Sequence, residues 1–435
     1  MSLWWSLIDR PTFSPGSLNQ RWDVVIVGAG FSGLWSAHHL LTADPSLNIA
    51  IVDSSHVGSG ASGRNGGWMS ALYPRSDESL AQTSSASEIA QLHAELRNSI
   101  DAIGEFAKAE KIDCGFSKGG SLVIARHQTQ LSRIRGDVDE HTHLLSADET
   151  KARINMSGAV GATFTPNCAR INPAQLVLGL AQSLARRGVS IFENSPAHIG
   201  MDKSVEVDGK KLDTKIVIRA TEAYRQRTRD LIPIYSLMVA TQPLPQEVFD
   251  EIGIAENETF AGANHLITYG QRTPDNRLAI GGRGAPYTFG SKRNLASENY
   301  KKIHDHLRTM SMSWFPILKN FEFTHAWGGA VGITRDWSPF VRFDGTFAEL
   351  GGYAGDGVTL SYLAAKTLSE LIHGKESTRT HLPFVQWQSP TWEIEPLRWL
   401  GVNSAIALSG LADWEEQHRS RPSIVAKALA RMMGT

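Results

Sequence analysis

The run V-V-I-V-G-A-G-F-S-G-L-W-S-A-H-H-L, residues 24–40, decides the fold. A short β-branched segment, residues 23–27, leads into glycines, and residues 31–41 read as a helix before a second apolar run at 48–52. That is a βαβ unit of the usual length. Gly28, Gly30 and Gly33 stand in G-x-G-x-x-G spacing between strand and helix. Gly28 permits the tight turn, Gly30 lets a pyrophosphate approach the backbone at the helix N-terminus, and Gly33 allows close helix packing. Asp53 ends the second strand 20 residues after Gly33, where a carboxylate can accept hydrogen bonds from ribose hydroxyls. The plainer reading is a glycine-rich structural turn, but strand, helix, second strand and terminal acid together predict a dinucleotide site.

Outward from this unit the alternation continues. Ile89, Leu92, Leu96, Ile100, Ile103 and Ala107 recur three or four apart and mark one face of a long helix. Residues 119–125 read as a strand. Asn172 can cap a helix that has Pro173 in its first turn, the stripe Leu176, Val177, Leu180 and Leu184, and Gly188 beyond its end. The strand V-S-I-F-E follows at once. Further stripes run through Tyr300, Ile303, Leu307, Met310 and Trp314, and through Leu360, Leu363, Ala364, Leu368 and Leu371, closed by Gly374. Strand-rich sequence between Ile234 and Phe323 interrupts the α/β pattern, which predicts a second domain inserted into the first.

Composition bounds the function. A chain of 435 residues favours two domains or one large α/β enzyme. Lys and Arg number 43 against 44 Asp and Glu, a formal charge of −1, so nucleic acid is not an expected partner. The share of hydrophobic residues, 41%, is that of a folded soluble chain. Cys114 and Cys168 are too few for a disulfide framework or a Cys-based zinc site and fit a reducing compartment. The first ten residues lack a signal peptide's basic start and apolar core, and no stretch reaches about 18 uninterrupted apolar residues. The expectation is a cytoplasmic protein without membrane insertion. His141 with His143, and His304 with His306, point apart at i, i+2 helical spacing and lack an acid or Cys cluster, so no metal is expected. Trp4 and Trp5 read as anchors of the N-terminal segment.

A second glycine cluster, G-S-G-A-S-G-R-N-G-G-W (residues 58–68), follows the second strand. Here the sequence resembles the D-amino acid oxidase (DAO) family of FAD-dependent oxidoreductases, in its γ-glutamylputrescine oxidase-like branch, whose signature includes G-A-S-G-R-N-G-G. The resemblance continues in I-N-P-A-Q-L (171–176), A-T-E-A-Y (220–224), L-A-I-G-G-R-G (278–284) and G-G-Y-A-G-D-G-V (351–358), in the family's order. It implies an α/β fold: a Rossmann-like FAD-binding domain of the GR2 type with an inserted mixed-sheet substrate domain. Residues 1–112, 161–234 and 325–435 fall to the former, 113–160 and 235–324 to the latter.

By resemblance, non-covalent FAD is held by Gly28, Gly30, Phe31, Ser32, Gly33, Asp53 and Ser54, then by Gly60, Ala61, Ser62, Arg64, Asn65, Gly66 and Gly67. The second half of the chain adds Ala197, Ala220, Thr221, Tyr224, Gly328, Gly352, Tyr353, Gly355, Asp356, Gly357, Val358 and Thr359. Residues 351–358 open the last helix of the pattern, so unpaired N–H groups and the positive dipole end can face the flavin. Asp356 stands where a relative carries His; an acid there opposes an anionic reduced ring unless it points to the ribityl hydroxyls or another donor. Arg283, Trp68 and Trp327 are expected against the substrate. A guanidinium at Arg283 can clamp a carboxylate or phosphonate, or make a structural ion pair; His325 and Trp327 either pack the core or line the site. Ala279 replaces the Lys that a sarcosine-oxidising relative uses on oxygen. The reaction implied is oxidation of the C–N bond of a small amine or amino acid, with oxygen or another electron acceptor. A class A flavin monooxygenase, suggested by Gly355-Asp356, and a catalytically inactive nucleotide-binding protein are the alternatives.

Overall fold

Four successive aliphatic residues, Val24 to Val27, make a strand suited to burial on both faces. It is β1 (Trp22–Val27), followed by α1 (Phe31–Ala43) and β2 (Ile49–Val52), which pairs with β1 in parallel. The structure, a computed structural model, describes residues 2–13, 15–225, 229–419 and 421–433. In α2 (Ala86–Ala109) the predicted stripe faces inward, with Leu92, Leu96, Ile100 and Ile103 fully buried, and Ser85 and Glu88 close a capping box. The chain then leaves for β3 (Ser121–Ala125) and β4 (Gly161–Thr165) and returns through α3 (Pro173–Arg186). Asn172 fixes the start of α3 by accepting from the N–H groups of Ala174 and Gln175.

After β5 (Ser190–Phe192) and β6 (Thr214–Arg219) a second excursion comprises β7 (Ile232–Thr241), β8 (Thr259–Gly262), β9 (Thr268–Arg272), β10 (Leu278–Gly282) and β11 (Phe323–Ile333). It ends at β12 (Phe340–Phe343) and β13 (Phe347–Gly351), which lead into α4 (Gly357–Ile372); α5 (Leu397–Arg419) lies beyond. Two large sheets result. The first has order β12-β13-β6-β1-β2-β5, parallel except for β12. The second is mixed: β11-β7-β10-β9-β8-β3-β4, with His143–Leu145 at the edge and β8 parallel to β3. This is the mixed α/β architecture that the sequence predicts.

The chain boundaries cut close to strands of the second sheet. Residues 161–165, grouped by sequence with the cofactor domain, are β4 and pair with β3; β7 and β11 straddle residues 235 and 324. β7 and β11 run unbroken through these positions within the second sheet, so no turn in the chain marks where one domain stops. Helix α5 docks on the second sheet's domain: Glu416 pairs with Arg133 at 2.8 Å, Asp413 accepts from His265 N at 2.7 Å, and Asn403 from Tyr287 N at 2.9 Å. Trp4 is fully buried, edge-on to Trp327 at 6.0 Å. Among the described residues no helix is long and apolar enough to cross a membrane.

Candidate functional site

At the β1–α1 turn, Gly28 has φ +114°, and a Cβ there would lie 2.5 Å from the Ala220 carbonyl oxygen. Only glycine lets β6 end so close. A Cβ at Gly33 would lie 2.0 Å from Gly28 O, so α1 can sit this near the turn only without a side chain. Gly30 precedes α1 without a side-chain cap; instead Ser62 Oγ accepts from Phe31 N at 2.9 Å. Ser32 Oγ is hydrogen-bonded to Tyr353 OH at 2.9 Å, which ties α1 to the C-terminal glycine motif. Asp53 accepts from Ala29 N and Ser55 N, both at 2.8 Å, so its carboxylate braces the glycine turn; burial pushes it above the usual carboxylate range. Ser54 beside it is exposed. Ala197 packs with Trp22 and Phe192 on the face of the first sheet opposite α1.

The second glycine cluster is held by its own side chains and by both layers. Ala61, Ser62 and Gly63 form a 3-10 turn, and Asn65 clasps it, donating to Ala61 O and Ser62 O while accepting from Gly67 N. Arg64 reaches Glu298 at 2.6 Å and Tyr224 OH at 2.7 Å, and the Tyr224 ring lies against Gly60. Thr221 is half-buried where the chain turns from β6 toward Tyr224, whose N–H donates to Thr221 O at 2.7 Å. Trp327 Nε1 donates to Arg64 O and Trp4 Nε1 to Asn65 O, so the indoles hold the loop's backbone. Gln271 donates to Gly66 O, and a Cβ on Gly66 would lie 2.2 Å from the Tyr269 ring. Trp68 stands edge-on to Tyr269 at 5.6 Å. Gly328 faces Glu298; its neighbour Gly329 faces Ala61.

Gly352 (φ +79°), Ala354 (φ +51°) and Gly355 (φ +116°) wind the chain into α4. No side chain caps this helix, and Thr359 Oγ1 in its first turn, close to Gly357 and Val358, is buried without a hydrogen-bond partner among the described residues. Arg283, one residue past β10, donates to the Ala354 carbonyl and lies 5.4 Å from the centre of the Trp337 ring. Arg283, Tyr269 and Asp356 are all half-buried, and the Arg283 guanidinium reaches the backbone of Ala354 and Gly355 at the start of α4. Burial pushes the Asp356 carboxyl up to about 6, with the Arg283 charge pulling the other way. Tyr269 OH is hydrogen-bonded to Ser236 Oγ.

Sequence reasoning missed Glu222. Its half-buried carboxylate accepts from Gly332 N at 2.7 Å and from Gly352 N and Tyr353 N at 3.1 Å, stapling β11 to the C-terminal motif. An acid inside the apolar A-T-E-A-Y motif is the signal that could have found it. Trp337, Gln271 and Tyr269 carry no such local signal.

The uncapped start of α4, the start of α1 where Ser62 engages only the Phe31 N–H, an orphaned hydroxyl at Thr359 and backbone cradles that a Cβ would fill are the donor set of a site for a dinucleotide with a polar, electron-rich ring. FAD fits it. Residues 23–371 match the family described as FAD dependent oxidoreductase, and the chain belongs to that DAO family. It is 27% identical over 375 residues to gamma-glutamylputrescine oxidoreductase of Escherichia coli, covering 81% of this chain and 84% of that protein. It is 28% identical over 385 residues to the probable oxidoreductase OrdL of Haemophilus influenzae, covering 84% and 86%. The fold is similar to that of glycine oxidase from Geobacillus kaustophilus, with TM-score 0.70 and 20% identity over 86% of this chain and 100% of that one.

Proposed function

We propose that this FAD-dependent oxidoreductase oxidises the C–N bond of a small amine or amino acid. When bound, FAD would supply the redox chemistry as the two-electron acceptor for the hydride on the carbon bearing nitrogen; the imine left behind would be hydrolysed by water, and oxygen or another acceptor would regenerate the cofactor. The Gly28–Gly33 turn, Ser62 and the R-N-G-G loop would hold the dinucleotide, and the N–H groups of Gly357, Val358 and Thr359 would face the electron-rich edge of the ring. The observation that carries the reading is the Arg283 guanidinium held against the backbone of Ala354 and Gly355, next to Asp356 in the chain, at the start of α4. A guanidinium suits the carboxylate of an amino acid, and a carboxylate suits its ammonium group. Asp356 can take the ammonium proton, which frees the nitrogen lone pair that expels hydride. Trp68 and Tyr269 form an aromatic wall that excludes water.

The gamma-glutamylputrescine oxidoreductase and glycine oxidase names support an amine or amino acid as substrate. Both cysteines are buried, with their thiols pushed up to about 11 and 12, which supports non-covalent attachment of FAD and fits a reducing, cytoplasmic setting. The test is an anaerobic screen of amines, amino acids and aminophosphonates that follows bleaching of the flavin absorbance. Bleaching by at least one of these compounds is expected, and a yellow protein that none of them reduces refutes the reading.

A further inference from the structure

Helix α5 meets the second sheet's domain through Asn403, Asp413 and Glu416. Away from these contacts it carries a row of exposed residues, spaced alternately three and four apart from Leu397 to Trp414. Leu397 is 60% exposed, Leu400 50%, Leu411 45% and Trp414 51%, and residues 399–412 contain no ionisable side chain. So much contiguous apolar surface on one helix marks an interaction face. Gly401 and Gly410 stand in the same row. Glycine inside a helix costs about 1 kcal/mol against alanine, yet a Cβ on either would meet nothing beyond its own helix within 4 Å among the described residues. The fold of the single chain does not call for the missing side chains. A second helix approaching closely does.

The row reads alike from both ends. Counted inward, Leu397 answers Trp414 and Leu400 answers Leu411, then Gly401 answers Gly410 and Ser404 answers Ala407, so bulk lies at the ends and small residues at the centre. Two copies of α5 laid antiparallel about a two-fold axis between Ser404 and Ala407 set every residue of the row against its counterpart. The alternating spacing is that of an interlocking helix pair, and self-complementarity about a two-fold is what an isologous dimer requires. Between residues 397 and 414 the helix rises about 26 Å, and a strip about 10 Å wide along it withdraws on the order of 1,000 Å² from water when two copies meet, the lower limit for a specific interface. A lipid surface is matched less well, because helices that lie on one carry Lys and Arg along their polar face.

We infer that the exposed face of α5 binds a second copy of this chain, and that the protein forms a two-fold dimer by antiparallel pairing of the two α5 helices. Sedimentation velocity of the FAD-loaded protein over a wide range of concentrations is expected to show a monomer–dimer equilibrium. Ala407→Glu brings like charges together beside the axis and is expected to weaken the dimer about tenfold or more, with FAD content and Tm unchanged. Ser404→Lys is expected to weaken it likewise. An equimolar mixture of the two variants should nevertheless pair, because in antiparallel register position 404 of one copy opposes position 407 of the other and the charges then attract. A protein that is monomeric at every concentration overturns the inference, including one that binds phosphatidylglycerol vesicles instead. So does a dimer that neither substitution weakens, which must use another surface, or a mixture that stays monomeric, which contradicts the register.

Discussion

Arg64, in the glycine-rich loop that follows β2, places its Nη1 2.6 Å from the carboxylate of Glu298, which packs beside β7 and β11 of the second sheet. The loop expected to hold the cofactor is thereby bound to both halves of the molecule. Glu298 is almost completely buried, so losing its partner strands a charge.

The Arg64→Met variant is expected to lose roughly 3 kcal/mol of stability, because Glu298 and Tyr224 OH both lose their donor. The double variant Arg64→Met, Glu298→Met should recover part of that loss. Denaturant unfolding of the FAD-loaded proteins measures both, and additive losses contradict the buried-pair argument.

Two glycines of the same motif should fail differently. At Gly30 a side chain meets only the Ser62 side chain, whose Oγ at 2.8 Å can rotate away at the cost of its bond to Phe31 N; at Gly33 it meets backbone at 2.0 Å. Gly30→Val should therefore give a folded but colourless protein, because it fills the pyrophosphate approach, whereas Gly33→Ala should lower Tm by forcing α1 off the turn. Yellow Gly30→Val protein with one FAD per chain is the contrary result.

Asp356 gives a pH dependence whose sign is opposite to that of a salt-bridged acid. Its carboxyl is raised from 3.8 to about 6 on folding, so the folded state holds a proton that the unfolded chain has lost across that window. The stability this contributes is present below 3.8 and lost as pH rises through 6. Asp356→Asn should be more stable than the parent at pH 8, by about 1–3 kcal/mol since the group keeps some access to solvent, with the gap closing toward pH 4. Thermal melts at saturating FAD across pH 4–8 decide it, and a gap that widens on acidification reverses the sign.

Ala279, Gly281 and Arg283 lie at alternate positions and so share one face at the end of β10; Ala279 is packed with Met238 and Trp327. No cation stands at Ala279 to stabilise superoxide as it forms. Reduced enzyme should react slowly with oxygen, and Ala279→Lys should accelerate the reaction by roughly tenfold or more. Stopped-flow mixing with oxygenated buffer measures it; rapid reoxidation that the substitution leaves unchanged counts against the argument.

The β1–α1–β2 unit, the Asn172 cap and the stripes of α2, α3 and α4 are legible in the sequence because each rests on residues within one or two turns of each other. The ordered motifs likewise pointed to FAD, since each glycine run makes its own local backbone shape. What only the tertiary structure decided involves partners far apart in the chain: Arg64 with Glu298, Glu222 with Gly332 and Gly352, and Arg283 against Trp337. Spacing carries no record of such pairs, because they form where two sheets and a helix start converge. The direction of a single strand residue was equally hidden: Gly328 and Gly329 are identical as letters, yet the pleat turns one toward Glu298 and the other toward the glycine loop.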